Sequence, residues 1–250
     1  DALGRVDPAA MPAALPRTEE SETHMPGHIA GYKRDWADLD YSELTDAQIR
    51  AIRHHYAVSV ERLDEDVALL IDTLRDTGRL DNTIVVFASD HGDYLGDFGL
   101  MGKGFFHEPS IRVPLIVADF RAPEARVETA LASLLDVFPS FLDWAGVAPQ
   151  PQAQGRRLSD PDPARCIAGA TTGGFMLRDP RWKLVRYGNG TEALFDLQSD
   201  PGEQVNLVGQ HPEVRQRLDA ELSRSLLDGL AAGHADKNVP DAKSPPEGAF

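Results

Sequence analysis

The chain has 250 residues, 42% of them hydrophobic and 26% charged, which is enough to build one good-sized core or a core with a smaller satellite. Its formal charge of −15 argues against nucleic acid as the main partner, because binding a phosphate backbone needs clustered Lys and Arg. No stretch approaches the roughly 18 consecutive apolar residues of a membrane-spanning helix, so no membrane partner is expected.

Residues 1–44 are rich in Pro, Ala, Glu and Asp without a sustained period. They read as an extended lead-in with a short helical turn near Ile29–Trp36. Thr45-Asp46-Ala47-Gln48 has the form of a capping box. Apolar residues then recur at Ile49, Ile52, Tyr56, Val60, Leu63, Val67, Leu70, Ile71 and Leu74, one stripe at helical spacing that Gly78 should stop. His54 and His55 are adjacent on this helix, about 100° apart, so they cannot both face one site. The β-branched run Thr83–Ser89 predicts a buried strand. A Gly-rich polar loop fills the interval to about Ser110, and Arg112–Ala118 reads as a second strand with Pro114 near its start. Leu131–Leu135 fits strand or helix equally. Asp136 is placed to cap a short helix that ends at Gly146.

From about residue 151 the texture changes. Short strand candidates at Cys166–Ala170, Phe175–Leu177, Trp182–Tyr187 and Ala193–Leu197 are separated by turns such as Gly188-Asn189-Gly190. An amphipathic helix from about Pro212 to Leu230 follows, then a tail at 231–250 with the composition of a disordered segment. Helix, short loop and buried strand form the half-unit of an α/β fold. The expected organisation is therefore a lead-in (1–44), part of an α/β domain (45–150), a small α+β subdomain (151–230) and the tail (231–250).

The chemistry concentrates in Ser89-Asp90-His91-Gly92-Asp93-Tyr94-Leu95-Gly96-Asp97 and Gly102-Lys103-Gly104. Asp90 and His91 fall where the first strand ends, the edge at which open α/β sheets bind ligands. A hard carboxylate oxygen and a borderline imidazole nitrogen together suit a divalent metal. Gly92 permits the turn that would bring both to one ion. Lys103, between two glycines, can return over that ion and offer its ammonium to an anionic group. The competing reading has Asp90 capping the following turn and His91 solvated. His107 is a further candidate for contacting a substrate, although a loop histidine is more often simply hydrated.

The stretch Ile84–Val117 resembles the sulfatase family of the alkaline phosphatase superfamily, and within it the phosphonate monoester hydrolase and choline-sulfatase-like branch. The resemblance rests on Ser-Asp-His-Gly-Asp, Leu-Gly-Asp, Gly-Lys-Gly and Arg-Val-Pro-Leu-Ile-Val in that order. It extends through Leu134-Leu135-Asp136-Val137-Phe138-Pro139, Trp182-Lys183-Leu184, Leu194-Phe195-Asp196-Leu197, Asp200-Pro201-Gly202-Glu203 and Asn206-Leu207, over roughly residues 40–225. It implies the C-terminal portion of an alkaline-phosphatase-like sandwich, a mixed sheet flanked by helices, plus a small antiparallel sheet with a C-terminal helix. It assigns Asp90 and His91 to one divalent cation (Ca²⁺, Mn²⁺ or Mg²⁺) and Lys103 to the sulfate or phosphonate group of a small anionic ester. Where the family has His after the Leu-Gly-Asp aspartate, this chain has Phe98.

The family's nucleophile, a formylglycine or Ser in Cys/Ser-x-Pro/Ala-x-Arg, is not supplied by Cys166, which is followed by Ile-Ala-Gly-Ala. The chain starts at Asp1 with neither a Met nor a recognisable signal peptide. It reads as the C-terminal part of a metal-dependent sulfuric, phosphonate or phosphate ester hydrolase, inactive alone, with the formylglycine expected upstream. The alternatives are a non-catalytic binding or assembly module, completed by a partner or a homo-oligomer, and a phosphodiesterase of the same superfamily. A single cysteine excludes an intrachain disulfide and slightly favours the cytoplasm.

Overall fold

A computed structural model describes residues 5–18, 41–150, 153–171 and 173–235. The chain forms two compact units, Asp1–Val127 with Asp200–Val205, and Glu128–Ser199 with Asn206–Phe250. The division falls at 127/128, ahead of the composition change near 151. The predicted turn at Ile29–Trp36 lies outside the described residues.

In the first unit, Asp7 caps a 3-10 turn at Pro8–Ala10 by accepting the Ala9 N–H at 2.9 Å. Helix α1 (Asp46–Asp76) starts at Thr45, whose capping box with Gln48 is formed in both directions. It stops before Gly78, which takes the left-handed φ of +67° that a side chain would resist. A 3-10 turn (Leu80–Asn82) then leads into strand β1 (Ile84–Ala88). β1 pairs antiparallel with β2 (Leu115–Asp119), placing Val86 opposite Val117. β2 begins after Pro114 because Arg112 is still engaged upstream. Its N–H closes the short helix α2 (Glu108–Ile111) on Glu108 O.

The expectation of a buried first strand needs correcting. β1 is half-buried with Ala88 exposed, and Ile116 and Val117 of β2 are 58% and 40% exposed. The stripe of α1 is open as well at Tyr56, Val60, Leu63 and Leu70. Among the described residues β1 and β2 pair only with each other, so the apolar run lacks the second layer its pattern calls for. The buried core of this unit lies in the loop instead, in Tyr94, Phe98, Leu100, Phe105, Phe106 and His107.

In the second unit Leu134–Asp136 forms a 3-10 turn that runs into α3 (Val137–Trp144). Ser133 caps that turn, in a capping box in which Asp136 accepts the Ser133 N–H at 2.8 Å; Asp136, expected to cap α3, makes no side-chain cap bond to it, and its carboxylate is 1% exposed. It also accepts the Arg156 N–H and a two-pronged bond from Arg165. Burial pushes its pKa up, but Arg165 and the backbone donors outweigh it and hold the carboxyl below its ordinary value.

Four strands, β3 (Ile167–Thr171), β4 (Gly174–Arg178), β5 (Trp182–Tyr187) and β6 (Glu192–Asp196), form an antiparallel meander in sequence order. The open edge of β6 is closed by Asn206, whose Oδ1 accepts the Leu194 N–H at 3.0 Å, and by the Leu207 N–H on Leu194 O at 2.8 Å. Helix α4 (Pro212–Ala235) lays Leu218 and Leu222, both fully buried, on Leu177, Trp182, Leu184 and Leu194. It runs past the end expected near Leu230, so residues 231–235 belong to the helix. Among the described residues no helix is long and apolar enough to cross a membrane.

Candidate active site

Asp90 and His91 leave the end of β1 and double back at once. Asp90 Oδ1 accepts the His91 N–H at 2.9 Å, and Ser89 Oγ donates to His91 O at 2.8 Å. The His91 ring turns so that Nδ1 lies 2.8 Å from Gly92 O. A carbonyl only accepts, so this contact places a ring proton on Nδ1, and an ammonium only donates, so the contact with Lys103 makes Nε2 the acceptor through its lone pair. That lone pair faces Asp90 Oδ2 at 3.4 Å and Lys103 Nζ at 2.6 Å. The structure thus brings Asp90, His91 and Lys103 together. They meet on an open surface, with the Asp90 and His91 side chains 84% and 37% exposed.

The loop that carries them is held shut by its own polar groups. Asp93 Oδ1 accepts the N–H groups of Leu95 and Gly102, both at 2.9 Å, and Tyr94 N–H donates to Gly102 O at 2.9 Å. Gly92 N–H donates to Ser110 O at 2.8 Å. A Cβ on Gly92 would sit 1.9 Å from the Pro109 carbonyl oxygen, so glycine is required there by the close approach of α2. Leu95 and Phe98 occupy left-handed backbone at φ 47° and 56°, strained conformations that persist where surroundings over-determine them. Arg53 supplies that constraint. Its guanidinium, in a side chain only 9% exposed, donates to Leu95 O at 2.9 Å, to Pro12 O and Ala13 O at 3.2 Å, and to Asp97 Oδ1 at 2.6 Å.

His107 is not part of the convergent group. It is 3% exposed, stacked on Phe98 at 4.2 Å between ring centres, with Nδ1 3.0 Å from the Tyr94 hydroxyl. Phe98 packs in the core. His54 bonds to Val6 O through Nε2 at 2.9 Å, away from the loop. Sequence reasoning passed over Arg53, Asp93 and Ser110 as supports. Only Asp93, inside the Ser-Asp-His-Gly-Asp motif, carried a local signal.

The residues fit a divalent cation in three respects. Two ligands at right angles and about 2.2 Å from one ion lie about 3.1 Å apart, close to the Asp90–His91 separation. The Nδ1 bond to Gly92 O is the kind of outer contact that orients a metal-bound imidazole. A cationic group, the Lys103 ammonium, already faces the Nε2 lone pair. Among the described residues no group of three or more His, Cys, Asp or Glu side chains converges on one point, so further ligands are needed to complete a coordination shell.

Comparison with known proteins gives the family. The family model for Sulfatase matches residues 17–147, over half of the chain. The chain belongs to the sulfatase family. A choline-sulfatase of Rhizobium meliloti (strain 1021) is 34% identical over 219 residues, covering 82% of this chain and 42% of the relative. The solved phosphonate monoester hydrolase of Silicibacter pomeroyi superposes with a TM-score of 0.70 at 26% identity, over 96% of this chain and 53% of its own. A second structure, BT4656 in complex with its substrate D-glucosamine-2-N,6-O-disulfate, gives a TM-score of 0.64 at 26% identity, over 88% of this chain and 48% of its own. The chain therefore spans about half the length of these relatives, and the match falls on their C-terminal part. The fold is that of the alkaline-phosphatase-like sulfatases. Sulfatases in general use a divalent cation and a formylglycine.

Proposed function

We propose that this chain supplies two metal ligands, Asp90 and His91, and one substrate-contacting cation, Lys103, to a hydrolase of sulfuric or phosphonate esters. The remaining ligands and the nucleophile lie in the part of the relatives' length that the chain does not span. The observation that carries this reading is the convergence of a carboxylate oxygen, an imidazole lone pair and an ammonium at the end of β1. The sulfate-bearing substrate of the BT4656 structure and the choline-sulfatase relative support a small anionic ester as the substrate class.

The cation, when bound, would act as a Lewis acid that steadies negative charge on an ester oxygen. Asp90 and His91 would hold it, with the imidazole kept in the correct tautomer by Gly92 O. Lys103 Nζ now shares the Nε2 lone pair, so two cations compete for one donor. With the cation in place, Lys103, flanked by Gly102 at φ 70° and Gly104 at φ 126°, would offer its ammonium to the anionic group or the departing oxygen. The site's exposure leaves room for an ester to approach.

The test has two parts. In the 250-residue chain, Mn²⁺ should broaden the NMR signals of His91 and Asp90 selectively, and Asp90→Asn should abolish the effect. The chain alone should not turn over an aryl sulfate or phosphonate ester, whereas a protein of the relatives' length carrying it should. In that longer protein Lys103→Ala is expected to lower kcat by about 10²–10³-fold while leaving Mn²⁺ binding equal or tighter. Mn²⁺ broadening that ignores Asp90→Asn, or turnover by the chain alone, would overturn the proposal.

A further inference from the structure

The Asp200-Pro201-Gly202-Glu203 turn belongs, with Gln204 and Val205, to the first unit, although Ser199 before it and Asn206 after Val205 belong to the second. Its geometry is specific. Asp200 O accepts the Glu203 N–H at 3.1 Å, and Asp200 Oδ2 accepts the N–H groups of Gln204 and Val205 at 2.7 and 2.9 Å. This places Glu203 in left-handed backbone at φ 54° with its side chain 2% exposed. A non-glycine residue in that conformation and a carboxylate in that environment both cost free energy. The buried carboxylate has a definite target. Oε2 accepts the Glu108 N–H at 2.6 Å, 95 residues back in the chain.

Glu108 opens α2, and α2 is tied to both arms of the loop that carries the candidate site. Ser110 O takes the N–H of Gly92, next to His91, at 2.8 Å, and Ser110 Oγ takes the N–H of Gly104, next to Lys103, at 3.4 Å. The Pro109 carbonyl packs against Gly92 too closely for any side chain to intervene. A shift of α2 therefore moves the residues flanking His91 and Lys103, whose contact is 2.6 Å.

We infer that Glu203 is a positioning residue for the Asp90–His91–Lys103 group. It holds the first N–H of α2, and through Ser110 it holds the spacing between His91 and Lys103. The inference rests on the reading of that group as a cation and anion site, and the experiment separates the two.

Glu203→Ala and Glu203→Gln in the 250-residue chain would be compared with wild type by hydrogen–deuterium exchange and by Mn²⁺ broadening of His91. Glu203→Ala is expected to speed exchange at Gly92, Tyr94, Gly102 and Gly104 by about tenfold, as for a lost bond to a charged acceptor, without changing amides of β4 to β6. The broadening of His91 should weaken in parallel. Glu203→Gln keeps an acceptor oxygen and should restore loop protection to within about threefold of wild type. Unchanged loop exchange in Glu203→Ala, equal acceleration in β4 to β6, or failure of Gln to restore protection each overturns the positioning role. Failure of Asp90→Asn to remove the Mn²⁺ effect sinks the metal reading instead, and leaves the exchange result standing.

Discussion

Gly92 and Asp196 show how single residues set the local terms. Gly92 brings the site loop and α2 together backbone to backbone. Gly92→Ala should lose the bond to Ser110 O and destabilise the first unit by about 1–3 kcal/mol, the usual cost of forced overpacking. Chemical denaturation would read the loss, and exchange at Gly92 and Gly104 would localise it. Asp196, 4% exposed, accepts a two-pronged bond from Arg181, which brings its pKa down from 3.8 to about 2. A depressed carboxyl stabilises the fold above its unfolded pKa, and that stability drains as pH falls through the folded value. Because Arg181 is 54% exposed, solvent screens the pair, and its worth is on the order of 1 kcal/mol. Asp196→Asn should therefore lower Tm at pH 7, and the gap to wild type should close between about pH 4 and pH 2. A gap that stays constant across that window would show that the charge does not matter.

At the scale of elements, the capping box and the meander are separable. Thr45 satisfies the Gln48 N–H at the head of α1 while Gln48 returns to the Thr45 N–H at 2.9 Å. Thr45→Ala is expected to cost about 1 kcal/mol and Thr45→Ser much less, measured as a shift in the denaturation midpoint. In the second unit the sheet depends on α4. Leu222 is fully buried against the apolar face of β4 to β6, so Leu222→Ala should cost about 2–5 kcal/mol. Leu227, 66% exposed further along α4, should lose within about 0.5 kcal/mol on the same change. Equal losses at the two leucines would contradict the packing described here.

For the whole molecule, the decisive feature is the apolar surface left open in the first unit, at Tyr56, Val60, Leu63, Leu69 and Leu70 of α1 and at Ile116 and Val117 of β2. Monomeric proteins seldom expose contiguous apolar patches of more than a few hundred Å². The 250-residue chain should therefore bind a hydrophobic dye strongly or self-associate in sedimentation. Leu63→Glu with Leu70→Glu should suppress either behaviour at little cost to Tm. A monomer that is indifferent to the dye would mean that the open stripe is not the liability its pattern implies.

Period and turn chemistry were enough to place α1, β1, the four-strand meander and α4 in order, because each of these is written in neighbours along the chain. The nearness of Asp90, His91 and Lys103 had a local signal too, since a strand end carries the first two, Gly92 follows them and glycines bracket Lys103. Helix α2 was not legible because four residues are too few to show a period. The Arg53 clamp and the reach of Glu203 to Glu108 were not legible because local spacing carries no record of a partner 40 or 95 residues away, and the burial of His107 under Phe98 follows from the folded loop. The depth of β1 was misjudged from its pattern because burial belongs to layers that cover a strand, and the strand's own sequence can only request them.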